Sequence, residues 1–421
     1  MSSPGLRQEE GSRAVAEAVA LCRPEVVSAY PISPQTHIVE HISDLVRTGE
    51  LAPCEYLMVE SEFGALSAAI GASATGARTY TATASQGLLF MAEALYNASG
   101  LGLPVVMTIA NRAIGAPINI WNDHSDSMSQ RDSGWIQLYA ETNQEALDLH
   151  IQAFRIAEQV SLPVMVCMDG FILTHAYDEV DIPVQKTVDA FLPPFEPRQL
   201  LDPAEPATIG AMVGPEAFFE VKYLAHAKQM QALDVIPEVA QRFAVDFGRP
   251  SGGLVRRYRT EGAETIIIAL GSVLGTIEDV VDEMRTAGIR VGALGIKSFR
   301  PFPLEEVREA LTGACRVVVL EKALAAGRGG IVSTDIHEAL HGTHIRCSTV
   351  IAGLGGRAIT RESLRRLLEQ AGRDELETLN FLDLDIELVQ RELSREGNGG
   401  RPGPHAENML RDLGVVAAEA H

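Results

Sequence analysis

Thr79-Tyr80-Thr81-Ala82-Thr83-Ala84-Ser85-Gln86-Gly87 decides the fold class of this 421-residue chain. Residues 79–84 read as a strand, and Ser85-Gln86-Gly87 as a turn into a helix over residues 88–99. Residues 104–110 follow as another buried strand. Strand, helix and strand in that order form a βαβ unit, and such units build parallel sheets. The alternation extends to both sides. Residues 26–30 are a short apolar run stopped by Pro31, and Ser33-Pro34 offers an N-cap with proline at the first helical position. The helix behind it runs through His37, Val39, Ile42 and Val46. Residues 62–72 are rich in small side chains, which suits a helix packed closely on a neighbour, and residues 163–168 form a further strand.

Five prolines between Pro193 and Pro206 break the composition and read as a linker leaving the first α/β domain. A second α/β region starts near Glu264, with strands at 265–270, 289–294, 316–320 and 349–351. Its first helix, at 277–286, follows the turn Gly271-Ser272-Val273-Leu274-Gly275-Thr276. The tail after about residue 376 is amphipathic until Gly397-Asn398-Gly399-Gly400-Arg401-Pro402-Gly403-Pro404, a flexible joint ahead of a docking arm. Four segments result: an α/β domain over 1–185, a connecting segment over 186–258, a second α/β domain over 259–375 and a docking tail over 376–421.

Thirty-five basic against fifty-six acidic residues leave a formal charge of −21, which argues against nucleic acid or an anionic membrane as the main partner. Aromatics at 5% beside 37 glycines favour α/β layers over an all-β sandwich. Cys22, Cys54, Cys167, Cys315 and Cys347 are widely spaced with no C-x-x-C pair. A disulfide framework, or an iron–sulfur cluster held by this chain alone, is therefore not expected. No apolar run approaches the ~20 residues of a membrane span. The opening Met1 to Ser12 lacks the basic-then-apolar order of a secretory signal, so a cytoplasmic, reduced setting is expected.

Two pentapeptides imitate zinc motifs. His337-Glu338-Ala339-Leu340-His341 spells H-E-x-x-H, and His37-Ile38-Val39-Glu40-His41 spells its inverse. Glu362 is the third ligand that could be nominated for the first. Neither is extended by a third-ligand pattern, so both read as amphipathic helices with exposed histidines and no metal is expected on this chain. Asp123-His124-Ser125-Asp126 holds triad residue types, but neighbours in sequence rarely face one another as a triad needs, so it reads as a capped polar loop. No glycine is followed directly by lysine, which excludes a Walker A loop. Gly327-Arg328-Gly329-Gly330 and Gly353-Leu354-Gly355-Gly356-Arg357 are glycine turns that suit either tight packing or an anion.

Glu62 opens an uncharged stretch, Phe63 to Ala72. It is either a partly desolvated functional carboxylate or a charge that complements the helix dipole. Arg112 closes the apolar run 104–110, at the strand end where α/β sheets bind ligands, and its planar fork suits a carboxylate or phosphate. A structural ion pair fits its position equally well.

Taken in order, Tyr30-Pro31-Ile32-Ser33-Pro34-Gln35-Thr36, Glu60-Ser61-Glu62-Phe63-Gly64-Ala65, Thr83-Ala84-Ser85-Gln86-Gly87, Asn111-Arg112-Ala113-Ile114, Trp121-Asn122-Asp123-His124-Ser125-Asp126 and Gln130-Arg131-Asp132-Ser133-Gly134 form a pattern. Ala269-Leu270-Gly271-Ser272, Phe299-Arg300-Pro301-Phe302-Pro303 and Gly353-Leu354-Gly355-Gly356-Arg357 continue it. Over about residues 10–375 the chain resembles the alpha subunit of pyruvate:ferredoxin oxidoreductase and related thiamine-dependent 2-oxoacid oxidoreductases. The resemblance implies an α/β fold: a pyrimidine-type thiamine diphosphate-binding parallel-sheet domain (1–185) followed by a transketolase-C-like α/β domain (259–375). It also implies that thiamine diphosphate is shared with a beta subunit that carries the diphosphate and Mg2+ motif. This sequence has no such motif, Asp169-Gly170 being a near miss. Gamma and ferredoxin-like delta subunits would complete the complex, with 4Fe–4S clusters on the partner chains.

By the same resemblance Glu62 is the catalytic carboxylate that shares a proton with the aminopyrimidine ring nitrogen, and Ser85 and Gln86 lie beside the cofactor. Arg112 receives the carboxylate of the 2-oxoacid. Ser33 stands beside it where the family usually has threonine, so the donor is kept and a methyl is lost. The implied activity is coenzyme A-dependent oxidative decarboxylation of a 2-oxoacid, pyruvate first, to acyl-CoA and carbon dioxide, with ferredoxin or an NAD-linked subunit as acceptor. Phenylglyoxylate, indolepyruvate, 2-oxoglutarate and branched oxoacids are the alternative substrates, and a non-catalytic scaffold subunit is the alternative of another class.

Overall fold

A computed structural model describes residues 5–397 and 403–415. The glycine- and proline-rich joint falls chiefly on residues 398–402, outside the described residues. The strands of the first half are β1 (Gly5–Glu10), β2 (Val26–Ala29), β3 (Glu55–Met58), β4 (Thr79–Thr83), β5 (Val106–Asn111), β6 (Ile136–Tyr139), β7 (Val164–Asp169) and β8 (Tyr177–Ile182). The second half adds β9 (Val255–Tyr258), β10 (Thr265–Ala269), β11 (Val291–Ile296), β12 (Ser298–Arg300), β13 (Arg316–Glu321), β14 (Arg346–Ile351) and β15 (Leu379–Phe381).

The first sheet runs β12-β6-β7-β5-β4-β2-β3 and is parallel except where β12 joins β6. Every residue of β4, β5 and β7 is buried, as expected of parallel strands covered by helices on both faces. The second sheet runs β15-β14-β13-β10-β11-β9, parallel except for β9. β1 and β8 form a separate antiparallel ribbon. The chain is thus an α/β protein with parallel sheets.

The two main sheets are not independent. β12 leaves the second unit to extend the first sheet, and one apolar core holds Ile109, Trp135, Tyr139 and Met165 together with Ile266, Ile268, Leu294, Phe299 and Val319. Between them the connecting segment forms a 30-residue helix, Phe218–Phe247, which buries Ala232, Val235, Ile236, Val239 and Phe243.

Two local expectations are corrected. Ser33-Pro34 does not begin a helix: the helix is Thr36–Arg47, its cap residue Gln35 makes no side-chain cap bond, and the Ser33 carbonyl is taken by Arg112 instead. The helix expected over 88–99 starts earlier, as Ser85–Phe90, breaks at Met91 and resumes as Ala92–Leu101. Ser61 caps the helix Glu62–Ala74 by accepting from Gly64 N at 3.1 Å, which fixes where that helix presents its first carboxylate. Among the described residues no helix is long and apolar enough to cross a membrane.

Candidate active site

Parallel strands deliver their carboxyl ends to one edge of the sheet. β2 ends at Ala29 and leads to Ser33, β3 leads to Glu62, β4 leads to Ser85 and Gln86, and β5 leads to Arg112. All five residues singled out in the sequence therefore stand on one edge.

Contacts join four of them in two pairs, Arg112 with Ser33 and Ser85 with Gln86. Arg112 donates from Nη1 to the Ser33 carbonyl at 2.9 Å and from Nε to the Asn119 carbonyl at 3.2 Å. The Ser33 link runs through its backbone rather than its hydroxyl, and Ser33 itself is exposed. Ser85 Oγ reaches the Ala113 carbonyl at 2.5 Å and also contacts Gln86 Oε1. Ser85 holds this position with φ +50°, a left-handed backbone that non-glycine residues rarely adopt, so the turn is over-determined by its partners.

Glu62 is 8% exposed, and no described residue donates a hydrogen bond to its carboxylate. Its carboxyl arm lies against Gly87: a Cβ built there would stand 2.8 Å from Glu62 Oε1 and 2.5 Å from Thr83 Oγ1. Thr83 Oγ1 is buried and also has no hydrogen-bond partner among the described residues. Gly115 approaches Gln86 as closely, with a built Cβ 2.6 Å from its Nε2. The glycines in the turns after β4 and β5 thus pack directly against Glu62, Thr83 and Gln86, with no room for a side chain of their own.

Asp126 organises this edge, a role the sequence reading did not assign. It is fully buried and accepts from Ser85 N at 2.9 Å, Arg112 N at 3.0 Å, Asn111 Nδ2 at 2.8 Å and Ser127 N at 2.8 Å. Burial pushes its carboxyl up to about 7 against those four donors. Burial likewise pulls the Arg112 guanidinium below its ordinary value, with the Asp126 charge opposing. Nothing in Asp123-His124-Ser125-Asp126 distinguishes Asp126 from a solvated loop residue; only β4 and β5 lying side by side bring two backbone N–H groups to it. Asp123 does cap the loop, accepting from Ser125 N at 2.9 Å and from Gly355 N at 3.0 Å.

His124 belongs to a second buried cluster. Asp169, at the end of β7, meets His124 Nε2 at 2.7 Å, Lys322 Nζ at 3.0 Å and Ser272 N at 3.0 Å, and also Ser272 Oγ. Lys322, His124 and the hydrogen bonds outweigh burial and hold its carboxyl well below the usual carboxylate range. The one acidic residue that approached a diphosphate motif is thus occupied in clamping the first sheet to the second unit.

The H-E-x-x-H imidazoles do not share a helix. Val332–Ala339 ends before His341, and both histidines are exposed. On the other side of the molecule a 490 Å3 cavity lined by Arg23, Glu25, Glu50 and Arg78 lies at the amino ends of β2 and β4, opposite the edge described above. That edge is an open surface bearing exposed Tyr30, Phe63, Phe90, Ile118 and Trp121. Such a patch marks a surface built for contact.

Residues 17–241 match the sequence profile described as "Pyruvate flavodoxin/ferredoxin oxidoreductase, thiamine diP-bdg", and residues 263–364 match "Pyruvate:ferredoxin oxidoreductase core domain II". The chain is 48% identical over 402 residues to pyruvate synthase subunit PorA of Methanosarcina barkeri, covering 92% of this chain and 100% of that protein. It is 41% identical over 362 residues to ketoisovalerate oxidoreductase subunit VorA of Pyrococcus horikoshii, covering 85% and 92%. Among solved structures, 2-oxoglutarate:ferredoxin oxidoreductase from Magnetococcus marinus, with 2-oxoglutarate, coenzyme A and succinyl-CoA bound, superposes with a TM-score of 0.68 at 19% identity. The match covers 87% of this chain and 65% of that one.

Proposed function

The chain belongs to the pyruvate flavodoxin/ferredoxin oxidoreductase family as an alpha-type subunit, and from that premise we propose that it serves the coenzyme A-dependent oxidative decarboxylation of pyruvate. Pyruvate and coenzyme A give acetyl-CoA, carbon dioxide, one proton and two electrons. The electrons leave through 4Fe–4S clusters on gamma and ferredoxin-like delta subunits to ferredoxin or an NAD-linked acceptor. The first segment, 1–185, is the cofactor-binding unit, 259–375 the transketolase-C-like unit, and 376–421 a docking tail.

The residues present fit one half of thiamine diphosphate. A buried carboxylate that no described donor engages, the bare Gly87 beside it and the unpartnered Thr83 hydroxyl suit an aminopyrimidine ring. Glu62 would hold that ring through its nitrogen and exchange a proton there, the role for which a partly desolvated carboxylate is suited. Ser85 and Gln86 would line the ring. When bound, the cofactor supplies the carbon nucleophile for the 2-oxo group and the electron sink for decarboxylation. Its diphosphate and Mg2+ have no counterpart motif in this chain and fall to a beta subunit seated on the open edge.

Arg112 carries the substrate role. Its Nε and Nη1 are spent on Asn119 and Ser33, and the Nη2 end of the fork would receive a 2-oxoacid carboxylate beside Ser33. The observation that carries pyruvate over a branched oxoacid is the 48% identity across the whole of a pyruvate synthase subunit, against 41% to a ketoisovalerate subunit. The test is kcat/KM in the assembled complex for pyruvate, 2-oxoisovalerate, 2-oxoglutarate, phenylglyoxylate and indolepyruvate. Pyruvate is expected to lead, and any other acid ahead of it overturns the assignment. The chain alone is expected to show no turnover with an artificial acceptor.

A further inference from the structure

Glu10, His37 and His175 lie on three separated parts of the chain: the end of β1, the first turn of the helix Thr36–Arg47 and the loop between β7 and β8. The fold brings them together. His37 Nδ1 is 2.6 Å from Glu10 Oε1, the His37 and His175 ring centroids are 4.7 Å apart, and one ligand atom from each residue lies within 4.8 Å of the other two. Among the described residues this is the one such three-residue group. We propose that Glu10, His37 and His175 form a three-ligand site for a divalent transition-metal ion of borderline softness, with zinc as its type and a fourth position open to water.

The donor set, two imidazoles and a carboxylate, is one that zinc takes with an open position. Zinc–ligand bonds of ~2.0–2.2 Å place the donors of a tetrahedron ~3.4 Å apart. The His37–Glu10 pair would open and the widest pair close, a movement within reach of the exposed His37 side chain. The metal would stand in place of the present His37–Glu10 hydrogen bond. The other ligands are held firmly. Glu10 is 6% exposed, and β1 pairs it with Tyr177, two residues from His175. Gly11 N and Ser12 N bond to the carbonyls of Ala176 and Thr174 at 3.0 and 2.9 Å. Thr174 Oγ1 lies 2.7 Å from His175 Nδ1 and accepts from Phe171 N, so it can also accept an Nδ1–H and leave Nε2 to the metal. Arg13 stands 3.8 Å from Oε2 of Glu10, which leaves Oε1 on the histidine side.

The site is beside the active edge, not in it. A Cβ built at Gly170 would lie 2.6 Å from Pro34 Cγ, so the loop leading to His175 already packs on the Ser33-Pro34 corner, and the metal would tie both together. The ligands stand at positions 10, 37 and 175, a spacing that no sequence motif encodes, whereas the expectation of no metal rested on the two pentapeptides alone. His41, the other half of the inverted pentapeptide, turns instead to Glu17 at 3.5 Å.

The test is titration of the metal-free full-length chain with zinc against a chromogenic chelator, repeated with cobalt to read the ligand-field spectrum. One equivalent is expected to bind, with a tetrahedral cobalt spectrum. His37→Ala and His175→Asn should each weaken binding by ~100-fold or more, beyond the ~10–100-fold usual for outer-shell changes, while His41→Ala and His341→Ala leave it unchanged. Circular dichroism checks that the variants fold, and Glu10→Gln gives a third, chemically milder removal. Failure of the wild-type chain to bind, undiminished wild-type affinity in His37→Ala or His175→Asn, or a comparable loss in His41→Ala overturns the proposal.

Discussion

The Arg112 guanidinium donates from Nη1 to the Ser33 backbone carbonyl at 2.9 Å, tying the end of β5 to the corner that follows β2. A second bond, from Nε to the Asn119 carbonyl, fixes the plane of the fork. Lysine keeps the charge but is a point donor on a flexible stem and cannot hold both carbonyls while presenting a third face. Arg112→Lys should raise the apparent KM for pyruvate at least ~10-fold with a smaller change in kcat, and Arg112→Ala should raise it further. Steady-state kinetics on the assembled complex reads both; a fall in kcat at unchanged KM would assign Arg112 elsewhere.

Glu62 and Gly87 share one space. Glu62→Gln keeps the shape but cannot exchange a proton, so turnover should fall by ~10²–10⁴-fold while thiamine diphosphate still binds the complex. Gly87→Ala does the reverse: its new Cβ would meet Thr83 Oγ1 and the Glu62 carboxyl at 2.5–2.8 Å, displacing the carboxylate without altering its chemistry. Overpacking of this kind costs roughly 1–3 kcal/mol. Gly87→Ala is expected to weaken cofactor binding as well as turnover; unchanged cofactor affinity would mean that Glu62 does not face the ring.

The strands behind Glu62, Arg112 and Ser85 were legible because β4 is rich in β-branched threonine and runs into the turn Ser85-Gln86-Gly87, and β5 continues the apolar run that begins at Pro104. Other features carried no such signature. β6 is four residues long and contains Gln137, so neither periodicity nor an apolar run marks it. β12 crosses from the second unit to the first sheet, a long-range pairing that local sequence does not encode. Asp126 and Asp169 look like solvated loop carboxylates in sequence, yet both are fully buried because donors from distant elements converge on them. Ser33-Pro34 carries a valid helix-start signal that lost to a tertiary contact, since the Ser33 carbonyl pairs with Arg112.

Asp169 should be the costliest of these to change. It is 1% exposed, and Lys322 beside it is 6% exposed. Asp169→Asn leaves the Lys322 ammonium buried without its counter-charge, and removing one partner of a buried pair typically costs ~3–5 kcal/mol. Because the cluster joins the end of β7 to Ser272 and Lys322, hydrogen–deuterium exchange should quicken selectively around those two residues. Adding Lys322→Met should recover part of the thermal midpoint lost in Asp169→Asn. Additive losses in the double variant would show that the two side chains do not act as a pair.

His150, packed behind the first sheet, is expected to make the stability of the fold fall with falling pH. Its ring is fully buried, with Nδ1 2.6 Å from the Ala146 carbonyl and Nε2 2.5 Å from Thr108 Oγ1, which in turn meets Tyr80 at 2.5 Å. Nδ1 donates to the carbonyl, so Nε2 accepts from the threonine and the neutral ring satisfies both. Burial lowers its pKa from 6.5 to about 4, with the Ala146 bond opposing. Between those values the unfolded chain binds a proton that the folded chain does not, so stability falls as pH drops through 6.5 toward 4. At ~1.4 kcal/mol per unit the loss is roughly 3 kcal/mol over the window. Asp126, pushed up to about 7, acts in the opposite direction, since its folded form retains a proton that the unfolded chain has released. Comparing wild type with His150→Gln cancels that contribution. Glutamine can both donate and accept but does not titrate, so the thermal midpoint of the variant should fall less than that of wild type between pH 7 and pH 5. Parallel profiles would show that the folded and unfolded chains protonate His150 alike, so that burial does not lower its pKa.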